Sequence, residues 1–177
     1  MQAGLIALGL LLSAGPTTGA PDPLADVTKL TPDQILQGIE NQHPAAYFVL
    51  AGKLFEAGRK DDATFWYYTG QLRYRYYLKA MPGLDPSGDP ALFGSLSEVI
   101  GRPINEWAFG DLDALRATLD RVLTWDERSP NGFTPKDRHR AALDETRAGL
   151  RGLIEHIRTN AELIRRQRAA NGLDNRK

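Results

Sequence analysis

The chain contains no cysteine. Disulfides, thiol chemistry, cysteine-ligated zinc and a lipidated N-terminal cysteine are therefore excluded together. It also lacks surplus charge. The 22 Lys and Arg are matched by 22 Asp and Glu over 177 residues, so nothing in the balance favours a dedicated nucleic-acid binder. Histidine is scarce: His43, His139 and His156 are too scattered for a local metal motif, and no metal or cofactor is expected. There is no Gly-x-Ser-x-Gly elbow, no His-Glu-x-x-His pair, no phosphate-cradling glycine loop and no calcium loop. No catalytic residue stands out, and a non-enzymatic role is the expectation.

Hydrophobic residues make up 42% and charged residues 25% of the chain, the proportions of an ordinary folded protein. Residues 1–20 carry no charged side chain. Positions 5–12 read LIALGLLL, Gly15 and Pro16 break the run, and small residues follow. An apolar run ahead of small residues is the pattern of a cleavable secretory signal. The run is shorter than the roughly 20 apolar residues of a membrane span. Export, to a periplasm or beyond the cell, is the expectation, with cleavage near Gly19/Ala20 or Ala14/Gly15. Residues 21–30 read as a polar linker, 31–170 as a helical domain and 171–177 as a disordered tail.

Within the domain, helix signals dominate. Thr31-Pro32-Asp33-Gln34 is a capping box with proline at the first helical position, predicting a helix over 31–42. Pro44 opens a second helix that Gly58 ends. A third runs from Asp61 or Asp62 to Ala80, and Met81-Pro82-Gly83 stops it. A short helix spans 89–100, followed by a turn carrying Trp107 and Phe109. Asp111 caps a helix with Leu112, Leu115, Leu119, Val122 and Leu123 at helical spacing. After a turn at 129–133, one long amphipathic helix is predicted over 134–170. Its stripe is Leu143, Thr146, Leu150, Leu153, Ile154, Ile157, Ala161 and Ile164. The fold expected is all-α, a helical bundle.

Residues 43–77 read as a helical hairpin. Tyr47, Leu50, Ala51 and Leu54 share one face of the first helix, Gly58 turns the chain, and Ala63, Tyr67 and Gly70 share the facing stripe. Small residues let two helices approach; large ones fill the space beside them. In order and spacing this stretch resembles one tetratricopeptide or Sel1-like repeat unit, with Arg75 where such repeats often carry proline. The resemblance implies helix-pair geometry and a protein-binding role. A single unit needs neighbours to stack on, so the hairpin is expected to pack on the rest of the bundle.

All six tyrosines fall between 47 and 77. Phe65-Trp66-Tyr67-Tyr68 covers every face of the third helix, which suits a central, buried one. Beyond it, Tyr68, Arg73, Arg75, Tyr76 and Lys79 are the candidate partner-binding residues, since Tyr and Arg concentrate in protein interfaces. The competing reading makes the tyrosines core and the cations favourable neighbours of the helix C-terminus. Glu98, Glu106, Asp111 and Asp113 cluster near Trp107, where carboxylates beside an aromatic platform could serve a glycan-directed enzyme; helix caps and loop solvation are the simpler account of them. Residues 136–177 hold eleven Lys or Arg against six Asp or Glu, densest at Arg165-Arg166-Gln167-Arg168, a run open to contact with a membrane surface. The leading expectation is an exported interaction module, of the kind that resembles periplasmic adaptors or toxin-neutralising immunity proteins. The alternatives are an envelope enzyme or glycan binder and a membrane-surface protein.

Overall fold

Helix α3, Lys60–Ala80, is the axis of the molecule. Its 21 residues span about 30 Å at 1.5 Å each, and almost every face is covered. Helix α2, Ala45–Glu56, lies against one side. Helices α4, Asp89–Val99, and α5, Gly101–Ala108, lie against a second. Helices α6, Leu112–Arg128, and α7, Arg140–Thr159, cover a third. Short α1, Pro32–Leu36, supports α2, and α8, Ala161–Ala170, continues from α7. The computed structural model describes residues 24–176; the expected leader at 1–20 lies outside the described residues. Among the described residues all regular elements are helical, so the protein is an all-α bundle.

The hairpin of α2 and α3 has a local cause. Gly58 takes φ +78°, the left-handed conformation that closes a helix without a Cβ penalty. The N–H of Arg59 then reaches back to Leu54 O at 2.9 Å. Tyr47, Leu50, Ala51, Leu54, Ala63 and Tyr67 are buried along the seam. At Gly70 the two helices approach closely: a Cβ there would lie 2.8 Å from Tyr47 Cβ and 3.1 Å from the Phe48 ring. Gly70→Ala should therefore destabilise the fold by about 1–3 kcal/mol through overpacking, although alanine is the better helix former. Urea denaturation measures this directly; a stabilised variant would contradict the close approach.

Several elements differ from the sequence-based expectation. The capping box forms, with Thr31 N–H donating to Gln34 Oε1 at 2.8 Å and Gln34 N–H to Thr31 Oγ1 at 3.3 Å. Yet α1 stops at Leu36, because Gly38 turns left-handed at φ +70°. The expected turn at Trp107 is helix α5. Pro103 sits in its first turn, where the missing N–H has no intrahelical acceptor to lose. The long helix over 134–170 is two helices preceded by a turn. Asn160 interrupts it at φ −113°, ψ 18°, its side chain donating to His156 O at 3.0 Å, the competition with the backbone that asparagine brings to a helix. Residues 24–30 are not a free linker: Val27 is buried and Leu24 and Leu30 pack on the core. Nor do residues 171–176 trail away. Leu173 N–H bonds Arg168 O at 2.9 Å, Arg176 N–H bonds Gly110 O at 2.6 Å, and the Arg176 guanidinium stacks 3.6 Å from the Trp107 ring centroid.

Candidate functional site

A groove of about 600 Å³ opens between α3, α5 and α7. Tyr68, Leu72, Arg75 and Lys79 line it from α3. Their spacing of four, three and four residues puts them on one face of the helix. Asn105 and Phe109 come from α5 and the residue just beyond it. Glu145, Thr146, Gly149, Leu150 and Leu153 form the α7 wall. Leu72, Phe109, Leu150 and Leu153 give the groove an apolar side, and Lys79 and Glu145 pair across one part of it.

The polar floor is a hydrogen-bonded chain whose directions can be assigned. Arg75 can only donate, and its Nε lies 3.1 Å from Gln71 Oε1. That orients the Gln71 amide, so Gln71 Nε2 donates to Tyr67 Oη and to Ser97 Oγ, each at 2.9 Å. Tyr68 Oη donates to Asn105 Oδ1 at 2.8 Å, and Asn105 Nδ2 points at Tyr67 Oη at 3.4 Å. Tyr67 thus accepts in both of its contacts. Burial raises the pKa of both phenols, so each keeps its proton. Gly101 makes room for this arrangement: a Cβ there would lie 2.3 Å from Tyr67 Oη.

Of the five residues expected to bind a partner, Tyr68, Arg75 and Lys79 line the groove. Arg73 and Tyr76 do not: both are buried, Arg73 toward Asp126 of α6 and Tyr76 against Leu143 of α7 and the Pro135 carbonyl. Arg73 Nε sits 2.9 Å from Asp126 Oδ1 in ion-pair contact without the alignment of a hydrogen bond. Its Nη1 donates to Pro130 O at 2.9 Å, and its guanidinium lies 5.0 Å from the Trp125 ring centroid. Arg147 of α7 adds Nε and Nη2 to Asp126 Oδ2 at 2.8 and 2.6 Å. Lys136 bonds Asp126 O and, at 2.6 Å, Ser129 O. Tyr76 Oη donates to Pro135 O at 2.8 Å. Three cations thus converge on one fully buried carboxylate and on carbonyls at the C-terminal end of α6, where the helix dipole favours positive charge. The cluster locks α3, α6, α7 and the 129–136 turn together.

A second cluster pins α4. Asp89, in the first turn of α4, accepts from Tyr74 Oη at 2.7 Å and Tyr77 Oη at 3.0 Å, and meets His43 Nε2 at 2.9 Å. His43 Nδ1 accepts the Ala45 N–H at 3.2 Å, which fixes the neutral tautomer with its proton toward Asp89. Burial outweighs the pull of Asp89 and lowers the His43 pKa below its ordinary 6.5. Below that value the unfolded chain takes up a proton that the folded chain refuses. The His43 contribution is complete above it and is lost as pH falls toward the folded pKa. Between about pH 7.5 and pH 5 the denaturation midpoint should fall more steeply for the native protein than for His43→Gln, which keeps a donor toward Asp89 but cannot titrate. Parallel profiles would contradict this.

Of the four carboxylates near Trp107, three are engaged locally, and Glu106 forms no ion pair or hydrogen bond among the described residues. Glu98 pairs with Arg102, Asp113 with Arg116 at 3.1 Å, and Asp111 caps α6 through Ala114 N–H at 3.0 Å. In the basic run of α8, Arg168 is buried and donates to Asp174 O at 2.8 Å, while Arg166 is exposed. Glu155 pairs with Arg158 at 2.6 Å beside His156. Gln71, Ser97, Asn105 and Phe109 joined the groove without any sequence signal pointing to them. Gly149, a glycine inside a helical pattern, was a visible signal.

No family model matches the chain, and no solved structure matches it. An uncharacterized protein of Haemophilus influenzae is 28% identical over 88 residues, 49% of this chain and 34% of that protein. The chain therefore spans about a third of the length of that relative over the matched stretch.

Proposed function

We propose that this protein is a non-enzymatic binding module that takes a segment of a partner protein into the groove between α3, α5 and α7. The observation that carries the reading is the groove itself. Its volume lies within the roughly 300–1,000 Å³ range of binding pockets, and it combines an apolar wall with a few convergent polar groups, as such pockets do. It runs along the hairpin whose residues 43–77 resemble a tetratricopeptide or Sel1-like unit, a family that works by binding proteins. The signal-like run at 5–12 supports a place outside the cytoplasm, where an adaptor or an immunity-type protein would meet its partner.

Gly149 supplies the test. It lines the groove, and a Cβ there meets nothing within 4 Å. Gly149→Phe fills the groove without disturbing the core, and replacing a mid-helix glycine should leave stability equal or higher by up to about 1 kcal/mol. With wild type and variant as baits in the same envelope extract, the variant should lose the stoichiometric partner that the wild type retains. Equal capture by both would overturn the reading.

A further inference from the structure

The hydrogen-bond directions in the groove floor leave two donors unused, and they lie together. Arg75 spends Nε on Gln71 and rests its guanidinium 5.2 Å from the Phe93 ring centroid. Among the described residues no carboxylate pairs with it, whereas Lys79 in the same groove already faces Glu145. Its two terminal amino groups make no hydrogen bond among the described residues, and the side chain is an exposed part of the groove lining. Tyr67 accepts from Gln71 and from Asn105, so its own O–H proton has no acceptor among the described residues, although the side chain is only 3% exposed. A buried hydroxyl with an unused proton and an unpaired guanidinium fork both ask for an acceptor carrying negative charge. Beside them stand Leu72, Leu150 and Leu153, which ask for an apolar body.

We infer that the groove is a site for a carboxylate borne on an apolar body: the acid accepts from the Arg75 fork and the Tyr67 hydroxyl while the body lies against the leucine wall. This rests on the groove being the binding surface and names what enters it. Arginine is suited to the task because its planar fork matches both oxygens of a carboxylate. Because the groove takes a partner segment, the acid is the C-terminal carboxylate of a partner chain ending in an apolar residue; a free amphiphilic acid is the competing outcome.

Titration calorimetry of the full chain tests it with straight-chain alkanoates of about six to fourteen carbons in one arm. The other arm uses N-acetyl tetrapeptides ending in Leu or Phe, as free acids and as amides. At least one acid should bind saturably at one per chain, and the matching alcohol or amide should bind at least about tenfold more weakly, the usual worth of a charged hydrogen bond. Arg75→Gln should weaken the acid by a similar factor and leave the alcohol or amide unchanged. Tyr67→Phe should weaken the acid by a smaller factor, with circular dichroism confirming the fold. The peptide acids should bind more tightly than the alkanoates, and tighter binding of the alkanoates would overturn the C-terminal assignment. The inference is overturned if no acid binds, if acid and neutral analogue bind alike, or if Arg75→Gln leaves the acid unaffected. Should no acid bind while Gly149→Phe still abolishes partner capture, the groove stands as the binding surface and the carboxylate assignment alone is lost.

Discussion

Asp126→Asn should destabilise the protein by about 3–5 kcal/mol, the cost of breaking a buried ion pair by removing one partner. Asp126 is 0% exposed and is the counter-charge for Arg73, Arg147 and Lys136. An asparagine of nearly the same shape keeps the packing but leaves three cations in a poorly solvated place. Burial already lowers the Lys136 pKa, and without Asp126 the pressure on that lysine to shed its proton rises. The loss should therefore shrink as pH is raised toward the lysine range. A control separates charge from packing. Replacing the carboxylate together with both arginines, as Asp126→Leu with Arg73→Met and Arg147→Met, should recover much of the loss, because apolar replacement of a whole buried ion cluster is often close to neutral. Chemical denaturation of the single and triple variants reads this out. A small effect of Asp126→Asn alone would mean that the cluster is solvated and does not lock the helices.

The second large effect is expected at Gly101→Val. The added Cβ would lie 2.3 Å from Tyr67 Oη and 2.7 Å from its ring carbons. The ring has nowhere to go, with Phe48 and Tyr68 packed edge-on at centroid distances of 5.5 and 5.1 Å. Helix α5 must then lift from α3, and the floor chain of Tyr67, Asn105 and Tyr68 breaks. The expected cost is about 3 kcal/mol, at the upper end for overpacking. The variant should also lose partner capture under conditions where it remains folded. It thus differs from Gly149→Phe, which blocks the groove at no cost in stability. If Gly101→Val is stable and still captures, α5 and α3 do not meet as described.

The helix pattern was legible from a few residues with strong local physics. The Thr31 box, Gly58 and Asp111 each act within one helical turn, and all three appear where their chemistry requires. The breaks at Gly38 and Asn160 were less legible, because glycine and asparagine are tolerated inside helices and only tertiary packing decides whether they end one. The same is true of the tail. Leu173 and Arg176 look like ordinary surface residues until Gly110 and Trp107 are brought beside them. The candidate site was half visible. Tyr68, Arg75 and Lys79 share a face with Leu72, and helical spacing sets Arg73 well away from it. Tyr76, four residues after Leu72 and three before Lys79, is not separated by spacing; Leu143 of α7 and the Pro135 carbonyl cover it. The fate of Arg73 was not readable in advance, since its partner Asp126 lies 53 positions away and resembles any solvated carboxylate of an amphipathic helix. The floor of the groove depends on Ser97 and Asn105, single polar residues whose importance comes from where α4 and α5 place them.

Site-specific photo-crosslinking tests the central claim most directly. A benzophenone side chain at Leu153 would sit in the groove wall, while one at Val99, which is 74% exposed, would sit on the surface outside it. In intact cells the Leu153 probe should give a discrete adduct that Gly149→Phe removes, and the Val99 probe should not give that adduct. An adduct shared by both positions, or one at Leu153 indifferent to Gly149→Phe, would show that the partner docks elsewhere.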